Sequence, residues 1–99
     1  MSLRTTALCT FALLALGGTA HADETAPALL ATACFSCHGV DGKSPGEIPS
    51  IAGKTAAQMS TSLKAFKADQ VMGTIMNRLA KGYTDAELDA LAAYYANLR

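Results

Sequence analysis

The sequence has no tryptophan, and its three cysteines, two histidines and 6% aromatic content leave little with which to staple or fill a core. No stretch alternates apolar and polar residues as a half-buried strand must, so a sheet-based fold is not expected. No charge of one sign dominates: eight Lys and Arg stand against eight Asp and Glu. A nucleic-acid partner, which calls for a basic surface, is therefore not expected. The long apolar run, Ala7 to Leu16 (ALCTFALLAL), is shorter than the roughly 20 residues a membrane span takes. With Arg4 before it and Ala20-His21-Ala22 after it, the run has the layout of a secretory leader. We expect residues 1–22 to be cleaved after Ala22, leaving residues 23–99 as one exported, periplasmic domain with no membrane span. Cys9 and His21 leave with the leader.

A domain this short buries only about 60% of the surface its unfolded chain exposes, and is marginal unless something staples it. Residues 23–99 keep only Cys34 and Cys37 of the cysteines, so the multi-disulfide frame of small secreted domains is excluded. Their aromatics are Phe35, Phe66, Tyr83, Tyr94 and Tyr95. A group other than side chains is needed to fill the middle.

The pattern is helical. Thr25 to Ala33 suits a short helix, with Pro27 tolerated in its first turn. Gly39 to Gly53 (GVDGKSPGEIPSIAG) holds four glycines and two prolines and reads as a loop. From Thr55 to Ala68, Met59, Leu63 and Phe66 recur at helical spacing, so Met59 is expected to pack in the core. A turn at Gln70–Gly73 leads to a short helix from about Thr74 to Ala80, stopped by Gly82. Thr84 and Glu87 form a capping box for the last helix, with Tyr83 stapled on Leu88. Leu88, Leu91, Ala92, Tyr95 and Leu98 then share one face. The fold expected is all-α, and alanines in the terminal helices allow them to cross closely. Lys64, Lys67 and Lys81 read as solvated helix faces rather than a docking surface.

Residues 34–38, Cys-Phe-Ser-Cys-His, carry the chemistry. A structural zinc site takes four Cys or His ligands and an iron–sulfur cluster ordinarily four cysteines. Residues 23–99 supply three Cys and His side chains in all, within one pentapeptide. A thiol–disulfide pair is compatible with export, but that chemistry sits after a strand in a βαβ unit, and no strand is expected. C-x-x-C-H is also the attachment motif of c-type haem, in which both thiols bond the porphyrin and the histidine binds its iron. That reading supplies the missing core as well. Cys34 and Cys37 are the expected attachment points and His38 the proximal ligand. With no second histidine in 23–99, the opposite ligand is sought among Met59, Met72 and Met76. A methionine there gives an electron-transfer iron of raised potential. Local pattern does not separate Met72 from Met76, and either also suits gap-filling against the porphyrin.

Three segments in order, CFSCHGVDGKSPG at 34–46, IPSIAG at 48–53 and TIMNRLAKGYTDAELDALAAYYANL at 74–98, resemble the small class I c-type cytochromes of bacteria. The resemblance covers nearly all of residues 23–99. It implies a class I fold of three to four short helices wrapped around one covalent haem. It also implies Met76 as the second axial ligand, seven residues before Tyr83, and Pro49 as the group whose carbonyl accepts the His38 ring N–H. The stretch IMNRLAKGYTDAELDALAAYY is most similar to the cytochrome subunit of flavocytochrome c sulfide dehydrogenases. There a flavin (FAD) subunit oxidises sulfide and passes electrons to the haem subunit, which makes and breaks no substrate bonds itself. Many such subunits carry two haems, and the single C-x-x-C-H here corresponds to a monohaem version. The alternative that the resemblance leaves open is a free, diffusible periplasmic carrier. A haem-based ligand sensor is disfavoured, because residues 23–99 offer no distal histidine.

Overall fold

A computed structural model describes residues 25–98 and, apart from them, Gly18. The leader expected over residues 1–22 lies outside the described residues. Helices α1 (Thr25–His38), α2 (Ala56–Lys67), α3 (Met76–Ala80) and α4 (Asp85–Asn97) follow in order, with no strand among the described residues. The all-α expectation therefore holds.

Helix α1 is longer than expected, running past Ala33 through both cysteines to His38. Its stop is Gly39, which adopts φ +83° and donates its N–H to the Phe35 carbonyl at 2.9 Å. A left-handed glycine is a common way to close a helix. Here a side chain at position 39 would collide with the Lys43 carbonyl. Helix α2 opens with a capping box: Thr55 Oγ1 accepts from Gln58 N–H at 3.1 Å, and Gln58 Oε1 accepts from Thr55 N–H at 3.0 Å. Helix α4 repeats the device with Thr84 and Glu87, at 3.1 and 2.8 Å. Helix α3 starts at Met76 rather than near Thr74. The Gly73 N–H is taken by the Asn77 side chain at 2.8 Å, which holds residues 73–75 out of the helix.

The core is small. Ala31, Met59, Leu88, Leu91, Ala92 and Tyr95 form its buried cluster, with Leu30, Phe35, Ile51, Leu63 and Tyr83 packed around it. Leu88 is the only large side chain buried to completion among the described residues. Helices α1 and α4 cross where Ala31 and Ala92 are buried, and two tyrosines of the chain's C-terminal part tie down α1. Tyr83 Oη donates to the Leu30 carbonyl at 3.2 Å and Tyr95 Oη to the Ala31 carbonyl at 3.5 Å.

Ion pairs bind α2 to α4. Lys64 Nζ lies 2.8 Å from Asp89, which also accepts from Ser60 Oγ, and Lys67 Nζ lies 2.8 Å from Asp85. Lys81 pairs with Asp69. The three lysines are partly exposed, as the sequence suggested, but each is matched by a neighbouring aspartate. Hydrogen bonds from Lys64 and Ser60 hold the Asp89 carboxyl below its ordinary range, and those from Lys67 and Lys81 do the same for Asp85 and Asp69. A folded-state pKa below the unfolded value means stability that is present above the ordinary carboxylate pKa of about 4 and lost as pH falls through the depressed value. Asp89→Asn should therefore lower the thermal midpoint at neutral pH. The gap between variant and parent should close at acid pH, below the ordinary carboxylate range, and narrow in salt, as exposed pairs do. Thermal melts at neutral and acid pH, with and without salt, check this.

Candidate functional site

The last turn of α1 carries Cys34, Cys37 and His38. Three residues of helix separate the two sulfur-bearing positions, a rise of about 4.5 Å on one face. Both thiols are free; Cys34 is partly buried and Cys37 exposed. Burial pushes the Cys34 thiol up, a hydrogen bond with Tyr95 opposes this, and the neighbouring Cys37 adds to the rise. Burial likewise raises the Tyr95 hydroxyl. Cys34 is thus a neutral thiol set against α4, while Cys37 faces outward.

His38 Nδ1 lies 2.6 Å from the Pro49 carbonyl oxygen. A carbonyl only accepts, so Nδ1 carries the proton and Nε2 keeps its lone pair for another partner. Tight loop geometry brings Pro49 there. The Gly42 carbonyl accepts from Ile51 N–H at 2.8 Å and from Ala52 N–H at 3.0 Å, pinching the loop closed. Gly42 is buried at φ +77°, and a Cβ there would press on the Tyr95 ring at 3.2 Å. Ser50 Oγ accepts from Ser44 N–H at 2.8 Å and completes the brace. The imidazole is thereby held in one orientation through a loop anchored on α4.

The methionines separate by environment. Met59 is buried in the core cluster, as its helical spacing predicted. Met72 lies in the α2–α3 connection and is 79% exposed. Met76, partly buried, opens α3 and comes from a segment distant in sequence from His38.

The residues present fit a covalently attached haem. Nε2 of His38 is free beside two free thiols one helical turn apart. Outside the core, Leu29, Val40, Ile48, Val71, Met72, Ile75 and Leu79 stay between 39% and 79% exposed. Those apolar side chains have no partner within so small a core, which is what a missing apolar plate would leave uncovered. Among the described residues no group of three or more His, Cys, Asp or Glu side chains gathers to hold a bare metal ion. No described helix is long and apolar enough to cross a membrane.

Several groups at the site escaped sequence reasoning. The Tyr95–Ala31 hydrogen bond and the Ser44–Ser50 brace join residues that no local pattern connects. Asn77, which binds four partners in the α2–α3 connection, left no motif.

Comparison with known proteins agrees with this geometry. The family model for cytochrome c matches residues 24–99. The chain is 43% identical over 75 residues to the cytochrome subunit of sulfide dehydrogenase of Chlorobaculum tepidum, covering 76% of this chain and 68% of that one. It is 36% identical over 66 residues to cytochrome c-552 of Acidithiobacillus ferridurans, but spans only 29% of that longer protein. It is 34% identical over 68 residues to cytochrome c-554(548) of Halomonas halodenitrificans, covering 65% of this chain and 82% of that one.

Proposed function

As a member of the cytochrome c family, this chain is an electron-transfer protein with covalently bound haem, and we propose that it is the monohaem, periplasmic partner of a flavoprotein that oxidises sulfide. The observation that carries the proposal is the 43% identity to the sulfide dehydrogenase cytochrome subunit over 76% of the chain. The flavin, FAD, would sit on the partner subunit. In this reading residues 1–22 direct export and are removed after Ala22.

Cys34 and Cys37 would hold the haem by thioethers, and His38 Nε2 and the Met76 thioether would bind its iron. When bound, the haem supplies a one-electron change at iron. The chain's own task is to keep the ligands still through that change. Pro49 does so for His38: its carbonyl accepts the hydrogen bond from Nδ1–H, with N and O 2.6 Å apart, fixing ring and tautomer and strengthening Nε2 as a ligand. The two thioethers on α1 fix the other edge. In this reading the bond chemistry belongs to the flavin subunit, and this chain accepts the electrons.

The alternative is a free carrier. The similarity to cytochrome c-554(548) of Halomonas halodenitrificans is compatible with it. Gentle purification of the native protein decides between the two. Flavin absorbance co-migrating with the haem, together with reduction of the haem by added sulfide, supports the subunit reading. A lone haem protein that sulfide leaves oxidised overturns it in favour of the carrier.

A further inference from the structure

Four polar contacts converge on the side chain that follows Met76. Asn77 is partly buried, and its Oδ1 accepts from Gly73 N–H at 2.8 Å. On the opposite edge of the amide, Nδ2 donates to the Val71 carbonyl at 2.7 Å, to the Phe66 carbonyl at 3.1 Å and to Asp69 Oδ1 at 3.3 Å. A donor edge facing carbonyls and an acceptor edge facing an N–H fix the amide's orientation, and neither a carboxylate nor an apolar side chain offers both edges.

The segment so fastened has little else to hold it. Residues 72–76 donate no backbone–backbone hydrogen bond among the described residues. Asp69, just upstream, sits at φ +56°, a left-handed conformation uncommon outside glycine that aspartate enters with the help of local side-chain hydrogen bonds. Lys81 and Asn77 both grip its carboxylate. Gly73 then packs so closely that a Cβ there would lie 3.0 Å from the Phe66 ring and 3.4 Å from Met76 Cβ. The turn tied down by Asn77 is thus the surface on which the base of the Met76 side chain rests.

Resting on the assignment of Met76 as the second iron ligand, we propose that Asn77 is its positioning residue. By binding Gly73, Val71 and Phe66 together, Asn77 keeps the α2–α3 turn closed behind Met76 and so keeps the thioether on the iron. Opening the turn and releasing the thioether are one motion in this account, and the amide sets its frequency.

The test uses the intact ferric haem protein and imidazole, which binds iron only after the methionine leaves. Asn77→Ala should raise the imidazole association rate at least about tenfold, the scale of losing a net hydrogen bond or two. It should also weaken the far-red iron–sulfur charge-transfer band and speed amide exchange at Gly73. Asn77→Asp, which keeps the acceptor but not the donor edge, should behave like Asn77→Ala. Thr55→Ala serves as the control: it removes the α2 N-cap at the far end of that helix, and should leave the imidazole rate within twofold of the parent. The proposal is overturned if Asn77→Ala binds imidazole at the parent rate, or if Thr55→Ala accelerates binding as much. If the parent protein itself lacks the charge-transfer band, the assignment of Met76 fails, an outcome distinct from a parent band that Asn77→Ala leaves untouched.

Discussion

Replacing both Cys34 and Cys37 by alanine should leave a chain that neither keeps haem through acid–acetone extraction nor folds cooperatively. The extraction result follows from the thioethers proposed at Cys34 and Cys37. The folding result follows from the core. Among the described residues its buried cluster is six, two of them alanines, and Leu88 alone of the large side chains is buried to completion. Full burial of a large apolar side chain contributes about 1.5–3 kcal/mol, whereas ordering each residue costs about 1.5 kcal/mol. A handful of such side chains does not carry four helices and the Gly39–Gly53 loop. The apolar surface that would be recruited is visible in Val40, Ile48, Val71, Ile75 and Leu79, all exposed on the protein alone. Far-UV circular dichroism of the double variant should show most of the helical signal gone and no sigmoidal melt. A cooperative transition near the parent's midpoint would mean that the side chains suffice and the haem is only cargo. The single variant Cys37→Ala should fall between, with one thioether left.

Met76→Leu should abolish the far-red iron–sulfur charge-transfer band of the ferric protein, while Met72→Leu should leave it intact. Loss of the thioether should also lower the midpoint potential by on the order of a hundred millivolts or more, within the roughly 0.8 V range that axial ligation covers. Leucine keeps the apolar volume in both variants, so the contrast isolates the sulfur. The structure distinguishes the two environments before the experiment does. Met72 stands 79% exposed in the connection between helices, where removal of its sulfur touches little. Met76 opens α3 and packs beside Gly73 and Phe66. Spectra and redox titrations of both variants check the pair, and the opposite outcome assigns Met72 instead.

Much of this arrangement was legible in the chain. Helix α4 announces itself twice, by the Thr84–Glu87 box and by a face of Leu88, Leu91, Ala92 and Tyr95 whose burial follows its spacing. The core role of Met59 came from the same periodicity, and the haem from C-x-x-C-H. The end of α1 was less legible, because helix propensity says little about residues 34–38. The signal lay one residue further, in a glycine free to turn left-handed. The box that opens α2 was also overlooked, since Thr55 and Gln58 form its less conspicuous T-x-x-Q version. Beyond these, what stayed hidden is tertiary. Lys64 and Asp89, or Lys67 and Asp85, meet only because α2 and α4 lie side by side. Asn77 looks like any polar residue on a short helix until the turn folds back on it. Such partners are set by packing and not by spacing, so no local pattern could name them.

The closure of α1 by the two tyrosines bears on the order in which the protein is made. Tyr83 reaches back to Leu30 and Tyr95 to Ala31, contacts separated by 53 and 64 residues of chain. In the proposed reading export threads the chain from its N-terminus, so residues 34–38 emerge before the helix that pins their segment. Contacts this distant form late, after the loop between them has closed. For that interval both thiols belong to an open chain, within reach of whatever enzyme joins them to the porphyrin. The long reach of the C-terminal tyrosines thus works as a delay, leaving the attachment site accessible until the last turn of the protein has been delivered.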